Sequence, residues 1–140
     1  MSAASNSGGR VFEFRLDPQS GVPVYRQVID QVMGGIAAGS LAPGDQLPTV
    51  RQVAVDLAIN PNTVMRAYRE MEIRGVLDTQ QGLGTFISHK KVKRDDVERR
   101  RQLNVMVGEL VSRAASQGFT VAELIEQLRD LSLDSQKTRR

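Results

Sequence analysis

Three polar side chains recur at helical spacing in the middle of the chain and could form hydrogen bonds with base edges. Asn62, Arg66 and Arg69 are separated by four and three residues within the segment NPNTVMRAYREME, residues 60–72. Such spacing places all three on one side of an α-helix. Arg binds guanine O6 and N7 in a bidentate manner, and Asn binds adenine N6 and N7 in the same way. The pattern therefore indicates recognition of nucleic acid, although an outer helix face that carries Arg is also typical of an ordinary solvated helix.

The helix that would carry these residues has a well-defined start and an apolar side. Asn60 is a favoured N-cap residue, and Pro61 suits the first helical position because its missing N–H would be unpaired there anyway. Gly75 is predicted to end the helix. The residues predicted to face the core are Val64, Ala67, Tyr68 and Met71. In this register the three polar side chains and Ile73 lie on the opposite side. Asn62 and Arg66 would face the bases, whereas Arg69, a turn further along, is either a phosphate contact or an ordinary surface residue.

Two further helices precede this one. Pro23 begins the first, whose apolar stripe consists of Val24, Tyr25, Val28, Ile29, Val32 and Ile36. Thr49, followed three residues later by Gln52, predicts a capping box at the start of the second helix, from which Arg51 points outward. The predicted buried side of this second helix consists of Val50, Val53, Ala54 and Leu57. The alternation of apolar and polar residues in VFEFRL, residues 11–16, predicts a short strand before both helices.

The second and third helices are separated only by a tight turn, residues 58–60. Two helices joined in this way are typical of a helix-turn-helix, in which the second helix lies in the DNA major groove. The N-terminus of that helix offers free N–H groups and the positive end of its dipole to a phosphate. The segment VLDTQQGLGTFIS, residues 76–88, predicts a β-hairpin around Gly82 and Gly84, in the position of a wing. The predicted fold class is mostly α with a small β-hairpin: a winged helix-turn-helix followed by a two-helix C-terminal dimerisation region.

Residues 39–88, GSLAPGDQLPTVRQVAVDLAINPNTVMRAYREMEIRGVLDTQQGLGTFIS, closely resemble the winged helix-turn-helix domain of the GntR family of bacterial transcription regulators. The shared motifs are the PG before LPxxR, the TV of the third helix, the glycine that ends this helix and the closing GxGTF. The preceding segment PVYRQVIDQVMGGIAAG fits the first helix of the family. The forms NPNTV and RAYREME, with a short C-terminal part, are most similar to the YtrA-type subfamily.

The resemblance implies a homodimeric transcription regulator that binds a palindromic operator in double-stranded DNA. It further implies repression of the protein's own operon, which often includes an ABC transporter. The DNA-contacting residues that it implies are Arg51 of the second helix, Arg66 of the third, and Thr49, Asn60, Asn62, Thr63, Gln81 and Gly82. Three positions depart from the family pattern. Pro61 replaces a residue that is often basic in other branches of the family, so the half-site sequence cannot be borrowed from them. Ala58 stands where the turn often has Gly, so a left-handed conformation there would be strained, and Leu83 occupies a wing position that is often basic.

About fifty residues follow the wing and contain two amphipathic helical patterns, separated by Gly118. Thr120 and Glu123 predict a capping box for the last helix. The residues predicted to form a dimer contact are Leu103, Met106, Leu110, Leu124, Ile125 and Leu128. Two such helices cannot enclose a ligand pocket of several hundred Å³, but against a second copy they can bury their apolar faces. A two-fold dimer presents its recognition helices to half-sites about 34 Å apart. The alternative is that both helices fold back onto the winged domain.

The composition narrows the function further. The chain has no Cys and one His, and neither a His–carboxylate pair nor a phosphate-binding loop is present in the sequence. We therefore expect no metal site, no cofactor and no enzymatic activity. No apolar run approaches the roughly 20 residues needed to span a bilayer, and the first ten residues do not resemble a signal peptide. We expect a cytoplasmic protein without a membrane segment, and the sequence does not identify a small-molecule effector.

The charge is unevenly distributed along the chain. Residues 11–88 contain six Arg against eight Asp and Glu, whereas residues 89–101 contain seven basic and three acidic residues. Because the predicted domain is slightly acidic, its net charge does not indicate DNA binding, and the argument for DNA binding depends on where its arginines lie. The alternative function is a winged-helix protein-interaction module, but such a face should expose more apolar area than Ile73 and Leu83 supply. The basic segment 90–101 is either a solvated linker or a contact to flanking DNA.

These observations predict three regions along the chain. Residues 1–10 are small, polar and rich in Gly, and are predicted to be disordered. Residues 11–88 form the predicted winged helix-turn-helix DNA-binding domain. Residues 89–140 comprise the basic linker, the two-helix dimerisation region and a flexible tail.

Overall fold

The computed structural model describes residues 12–90 and 96–139, the last six of these by backbone alone. The predicted disorder of residues 1–10 and the middle of the basic segment, residues 91–95, lie outside the described residues. The elements are α1 Val24–Ala38, β1 Gln46–Leu47, α2 Val50–Leu57, α3 Pro61–Ile73, β2 Leu77–Gln80, β3 Gly84–Ile87, α4 Asp96–Ser116 and α5 Val121–Arg139. The chain divides into two compact units, one containing residues 12–90 and the other residues 96–134. None of the described helices is both long and apolar enough to cross a membrane.

Helix α3 lies at the centre of the first unit and packs against α1, α2 and β2. All four residues that its sequence pattern assigns to the core are buried. The patterns of α1 and α2 are confirmed in the same way, except that Val24, Tyr25, Ile36 and Val50 are only partly buried. The buried core consists of Phe14, Val28, Ile29, Val32, Leu41, Leu47, Val53, Ala54, Leu57, Val64, Ala67, Tyr68, Met71, Leu77 and Ile87.

A three-stranded antiparallel sheet with strand order β1-β3-β2 covers one end of this core. Strands β2 and β3 form the predicted hairpin, in which Leu77 pairs with Ile87 and Gln80 pairs with Gly84. Strand β1 was not predicted, because two residues are too few to show a periodic pattern. It pairs Gln46 with Phe86 of β3, and the segment before α2 is thereby joined to the wing.

The strand predicted at residues 11–16 is wrong over its described part, since residues 12–17 form no strand. The alternation did predict burial, because Phe14 is fully buried and Phe12 and Leu16 are partly buried against the core. The backbone of this segment pairs with a glutamine side chain instead of a neighbouring strand. Gln31 of α1 accepts a hydrogen bond from the N–H of Arg15 at 2.8 Å and donates one to its carbonyl at 2.7 Å.

The turn between α2 and α3 contains the strain that the sequence predicted. Ala58 has φ 55° and ψ 47°, and no other non-glycine residue described by the structure has a positive φ. The left-handed conformation brings Cβ close to the following carbonyl oxygen, at a cost of about 1–2 kcal/mol. Its N–H bonds to the carbonyls of Ala54 and Val55, so the end of α2 holds the residue in this conformation.

We expect Ala58→Gly to raise the free energy of unfolding by about 0.5–1 kcal/mol. Relief of the Cβ contact outweighs the entropy of roughly 0.4–1 kcal/mol that glycine adds to the unfolded chain, and Ala58 is exposed, so no packing is lost. Urea denaturation measures the difference. Ala37→Gly is the matched control, because Ala37 is exposed within α1 and glycine in a helix is destabilising. A loss of stability in both variants would contradict the strain at Ala58.

The second unit consists of α4 and the part of α5 up to Asp134. The predicted capping box is present: the Thr120 hydroxyl accepts from the Glu123 N–H at 3.2 Å, and the Glu123 carboxylate accepts from the Thr120 N–H at 3.3 Å. Among the described residues of these helices only Ala114 is buried. Helix α5 continues to Arg139, farther than its apolar pattern predicted. Residues 134–139 contain no Gly or Pro, the residues that most readily end a helix.

Candidate nucleic-acid interface

The charged side chains of α3 are cationic up to Arg69 and acidic at Glu70 and Glu72. Asn62, Arg66 and Arg69 are exposed on the side opposite the core, as their spacing predicted. The two acidic residues are bonded to neighbours: Glu70 lies 3.6 Å from the Arg74 guanidinium, and the Glu72 carboxylate accepts from the hydroxyl of Thr79 at 2.9 Å. The part of α3 from Asn62 to Arg69 is therefore the part whose chemistry suits an anionic partner.

The backbone N–H groups at the start of α3 are already occupied. The Asn60 side chain accepts from the Asn62 N–H at 2.8 Å, and the Asn60 carbonyl accepts from the Thr63 N–H at 3.0 Å. Pro61 has no N–H. The expectation of free N–H groups for a phosphate is therefore wrong at this helix start. What remains is the positive end of the dipole, the exposed side chains of Asn60 and Asn62, and the half-buried Thr63.

Arg51 lies in the first turn of α2 and is exposed. Its side chain makes no hydrogen bond or ion pair with the residues that the structure describes. The predicted capping box beside it is present, since the Thr49 hydroxyl accepts from the Gln52 N–H at 3.1 Å. The same hydroxyl lies 3.3 Å from the Gln52 side-chain oxygen and can donate to it. A phosphate contact from the Thr49 hydroxyl would have to replace that donated bond, whereas a phosphate contact from the Arg51 side chain would replace no existing bond.

A buried hydrogen bond connects α3 with the residues just before α2. The Tyr68 hydroxyl donates to the carbonyl of Pro48 at 2.6 Å, and burial raises the pKa of Tyr68 well above its usual range. The sequence placed Tyr68 in the core without a partner. A hydroxyl at a core position of a helix is itself a signal that a partner exists, because buried polar groups are almost always bonded. The bond fixes the start of α2 relative to α3.

The wing turn, residues 81–83, carries the predicted residues Gln81 and Gly82 at an exposed position. Gln46 of β1 contacts this turn, since its amide donates to the carbonyl of Leu83 at 3.1 Å. A Cβ at Gly84 would lie 2.5 Å from that amide nitrogen and would displace it. Leu83 is 67% exposed at the tip, where a basic residue would have offered a phosphate contact. Sequence reasoning missed Gln46, because nothing in its local pattern points to the wing.

Arg66 does not extend freely into solvent. Its guanidinium carbon lies 3.9 Å from the centroid of the Tyr25 ring, in a cation–π stack. Tyr25 belongs to the first turn of α1, and its sequence pattern assigns it only to the apolar stripe of that helix. No spacing rule connects two residues so far apart in sequence, so this pair could not have been found without the fold.

The apolar side chains predicted to form a dimer contact remain uncovered in the single chain. Leu124 is partly buried. The other five are between 41% and 59% exposed: Leu103, Met106, Leu110, Ile125 and Leu128.

Comparisons with known proteins agree on the class of the chain. Residues 24–87 match the sequence family described as bacterial regulatory proteins, gntR family. The HTH-type transcriptional regulator YhcF of Bacillus subtilis is 37% identical over 111 residues, which cover 79% of this chain and 91% of that protein. The HTH-type transcriptional repressor YtrA of the same organism is 36% identical over 121 residues, which cover 86% of this chain and 92% of that protein.

Solved structures show the same similarity. A transcriptional antiterminator from Listeria monocytogenes EGD-e superposes with a TM-score of 0.64 at 26% identity, covering 87% of this chain and 91% of that one. YtrA from Sulfolobus acidocaldarius, described as a GntR-family transcription factor, superposes with a TM-score of 0.52 at 30% identity, covering 71% of this chain and 97% of that one.

Proposed function

Because the chain belongs to the gntR family of bacterial regulatory proteins, we propose that it is a homodimeric repressor that binds a palindromic operator. Members of this family are transcription regulators with a winged helix-turn-helix DNA-binding domain, and this chain is a regulator and not an enzyme. One relative of matching length, YtrA of Bacillus subtilis, is named a repressor. The proposed site of action is the cytoplasm, and the proposed target is the protein's own operon, with an ABC transporter as a candidate member.

The observation that carries the proposal is the polar surface of α2 and the first half of α3. The side chains of Arg51 and Asn62 are exposed and make no hydrogen bond with the described residues, so their side-chain donors are available to a ligand. We propose that Arg51, Asn62 and Arg66 contact bases or phosphates. Supporting contacts are assigned to Thr49, Asn60, Thr63, Gln81 and Gly82.

The exposed apolar faces of α4 and α5 support the homodimer. A row of half-exposed Leu, Met and Ile side chains on two long helices is unfavourable in water, and a second copy offers a matching surface. In this proposal residues 11–88 bind DNA and residues 89–140 hold two such domains together. Two recognition helices would then meet half-sites about 34 Å apart.

We expect the protein to bind DNA from upstream of its own gene in preference to a scrambled duplex of equal length and composition. The logarithm of the binding constant should fall linearly with the logarithm of salt concentration, with a slope of about −0.9 for each phosphate contact. Fluorescence anisotropy at several salt concentrations measures both quantities. Equal affinity for the two duplexes would contradict operator recognition, and a flat salt dependence would contradict phosphate contact.

A further inference from the structure

We propose that Tyr25 is a positioning residue for DNA recognition, which holds the Arg66 guanidinium in place before the operator binds. The proposal rests on the assignment of Arg66 as a DNA contact. It adds to that assignment a residue of α1, which neither its own spacing nor the helix-turn-helix plan connects with the DNA surface.

The ring of Tyr25 is fixed by the protein core. Tyr25 lies one residue after the start of α1 and packs, partly buried, against the hydrophobic core. Helix α1 in turn packs against α3, which carries Arg66. Because both ends of the pair belong to helices of the same core, the ring is a stationary platform. The separation of 3.9 Å between the guanidinium carbon and the ring centroid is well within the roughly 6 Å range of a cation–π contact.

Stacking leaves the hydrogen-bonding capacity of Arg66 unused. The ring covers one face of the planar guanidinium, whereas its five N–H donors point outward in the plane. Among the described residues, no carboxylate or carbonyl accepts a hydrogen bond from the Arg66 guanidinium. The edge of the guanidinium can therefore bind guanine O6 and N7, or a phosphate, while the stack persists. Since ordering a long side chain opposes binding, an arginine that is ordered beforehand binds more tightly.

Arg69 lies on the same face of α3, but its guanidinium does not stack on an aromatic ring of the described residues. It is also exposed on α3, but the contact of its guanidinium is with the thioether of Met65, at 3.9 Å between Nη2 and Sδ. Thioether sulfur is a weak acceptor, so this contact restrains Arg69 less than the ring restrains Arg66. The two arginines therefore form an internal comparison within one helix.

A double-mutant cycle measured on operator DNA tests the proposal. We expect Tyr25→Leu to weaken operator binding by about 3-fold to 10-fold, and Tyr25→Phe, which keeps the ring, to bind like the unsubstituted protein. In an Arg66→Ala background Tyr25→Leu should have almost no further effect, because the group that it positions is gone. Denaturation curves show whether each variant is folded, and Tyr25→Met replaces Tyr25→Leu if the latter does not fold.

A second measurement needs no substitution. In the unsubstituted protein without DNA, ¹⁵N relaxation should give the Arg66 Nε a higher order parameter than the Arg69 Nε. Equal order parameters would overturn the proposal, as would an equal loss of affinity from Tyr25→Leu in both backgrounds, which is the result for a purely structural tyrosine. If Arg66→Ala itself leaves operator binding unchanged, the assignment of Arg66 fails and this proposal fails with it. If Arg66→Ala strongly weakens operator binding and the losses of affinity from Tyr25→Leu and Arg66→Ala are additive, the role of Tyr25 is overturned while the assignment of Arg66 stands.

Discussion

Removal of residues 92–140 is expected to give a folded monomer whose operator affinity is lower by about 10²-fold to 10⁴-fold. In a dimer, the binding of one domain to its half-site places the second domain at a high effective concentration near the other half-site. The truncated protein loses this advantage but keeps every proposed DNA contact. Sedimentation gives the oligomeric state, and anisotropy gives the affinity for the full operator. A duplex with a single half-site is the control, since both proteins should bind it with similar affinity.

The truncated protein is expected to fold because the first unit has its own core. Among the described residues, every member of the buried hydrophobic cluster lies between Phe14 and Ile87. The helix caps and the sheet of this unit also use only residues before Lys90. A cooperative denaturation curve for residues 1–91 is therefore expected. A truncated protein that remains dimeric would show that the dimer contact lies elsewhere.

A single substitution in the full chain tests the same contact without truncation. Leu110 is 41% exposed on α4, and Leu110→Lys would place a charge within the proposed dimer contact, where desolvation makes it unfavourable. We expect this variant to be monomeric and to bind the operator as weakly as the truncated protein. Ser112→Lys is the matched control, because it adds the same charge at an exposed position of the same helix. Dissociation in both variants would indicate a general effect of charge rather than a contact at Leu110.

Sequence periodicity was sufficient to predict an element that is long and whose capping residues lie close together in the sequence. Asn60 and Pro61 placed the start of α3 correctly, and the outer face of the helix followed from that register. The capping boxes at Thr49 and Thr120 were equally visible, because both partners lie within four residues of each other. Each of these predictions depends on a short segment whose geometry is set by its own residues.

The sequence could not reveal contacts that join distant segments. The bond from Tyr68 to Pro48 and the stack of Arg66 on Tyr25 exist only after α1, α2 and α3 have packed. The N-terminal segment shows the same limit, since its alternation predicted which side chains are buried but not that Gln31 would bond to the backbone. The roles of the site residues came from family resemblance, and the structure adds which of their donors are already bonded.

Arg51→Ala and Arg66→Ala are each expected to weaken operator binding by about 1–3 kcal/mol. Both side chains are exposed, and Arg51 has no bond to the described residues, so its removal should leave the free energy of unfolding nearly unchanged. Arg74→Ala is the matched control. Arg74 is also exposed but lies at the other end of α3, where its guanidinium is 3.6 Å from the Glu70 carboxylate. Unchanged affinity in both test variants, with Arg74→Ala indistinguishable from them, would contradict the proposed site.

The way in which each Ala variant loses DNA affinity identifies whether the arginine contacts a base or a phosphate. An arginine that binds guanine uses the N7 acceptor, so replacing that guanine by 7-deazaguanine should weaken the unsubstituted protein and leave the matching Ala variant almost unaffected. An arginine that binds a phosphate should instead weaken operator and scrambled DNA alike, and its removal should reduce the salt slope by about 1. We expect Arg66 to show the first behaviour, because its stacked guanidinium presents a fixed pair of donors. If 7-deazaguanine weakens the Arg66→Ala variant as much as the unsubstituted protein at every operator guanine, a residue other than Arg66 binds those guanines.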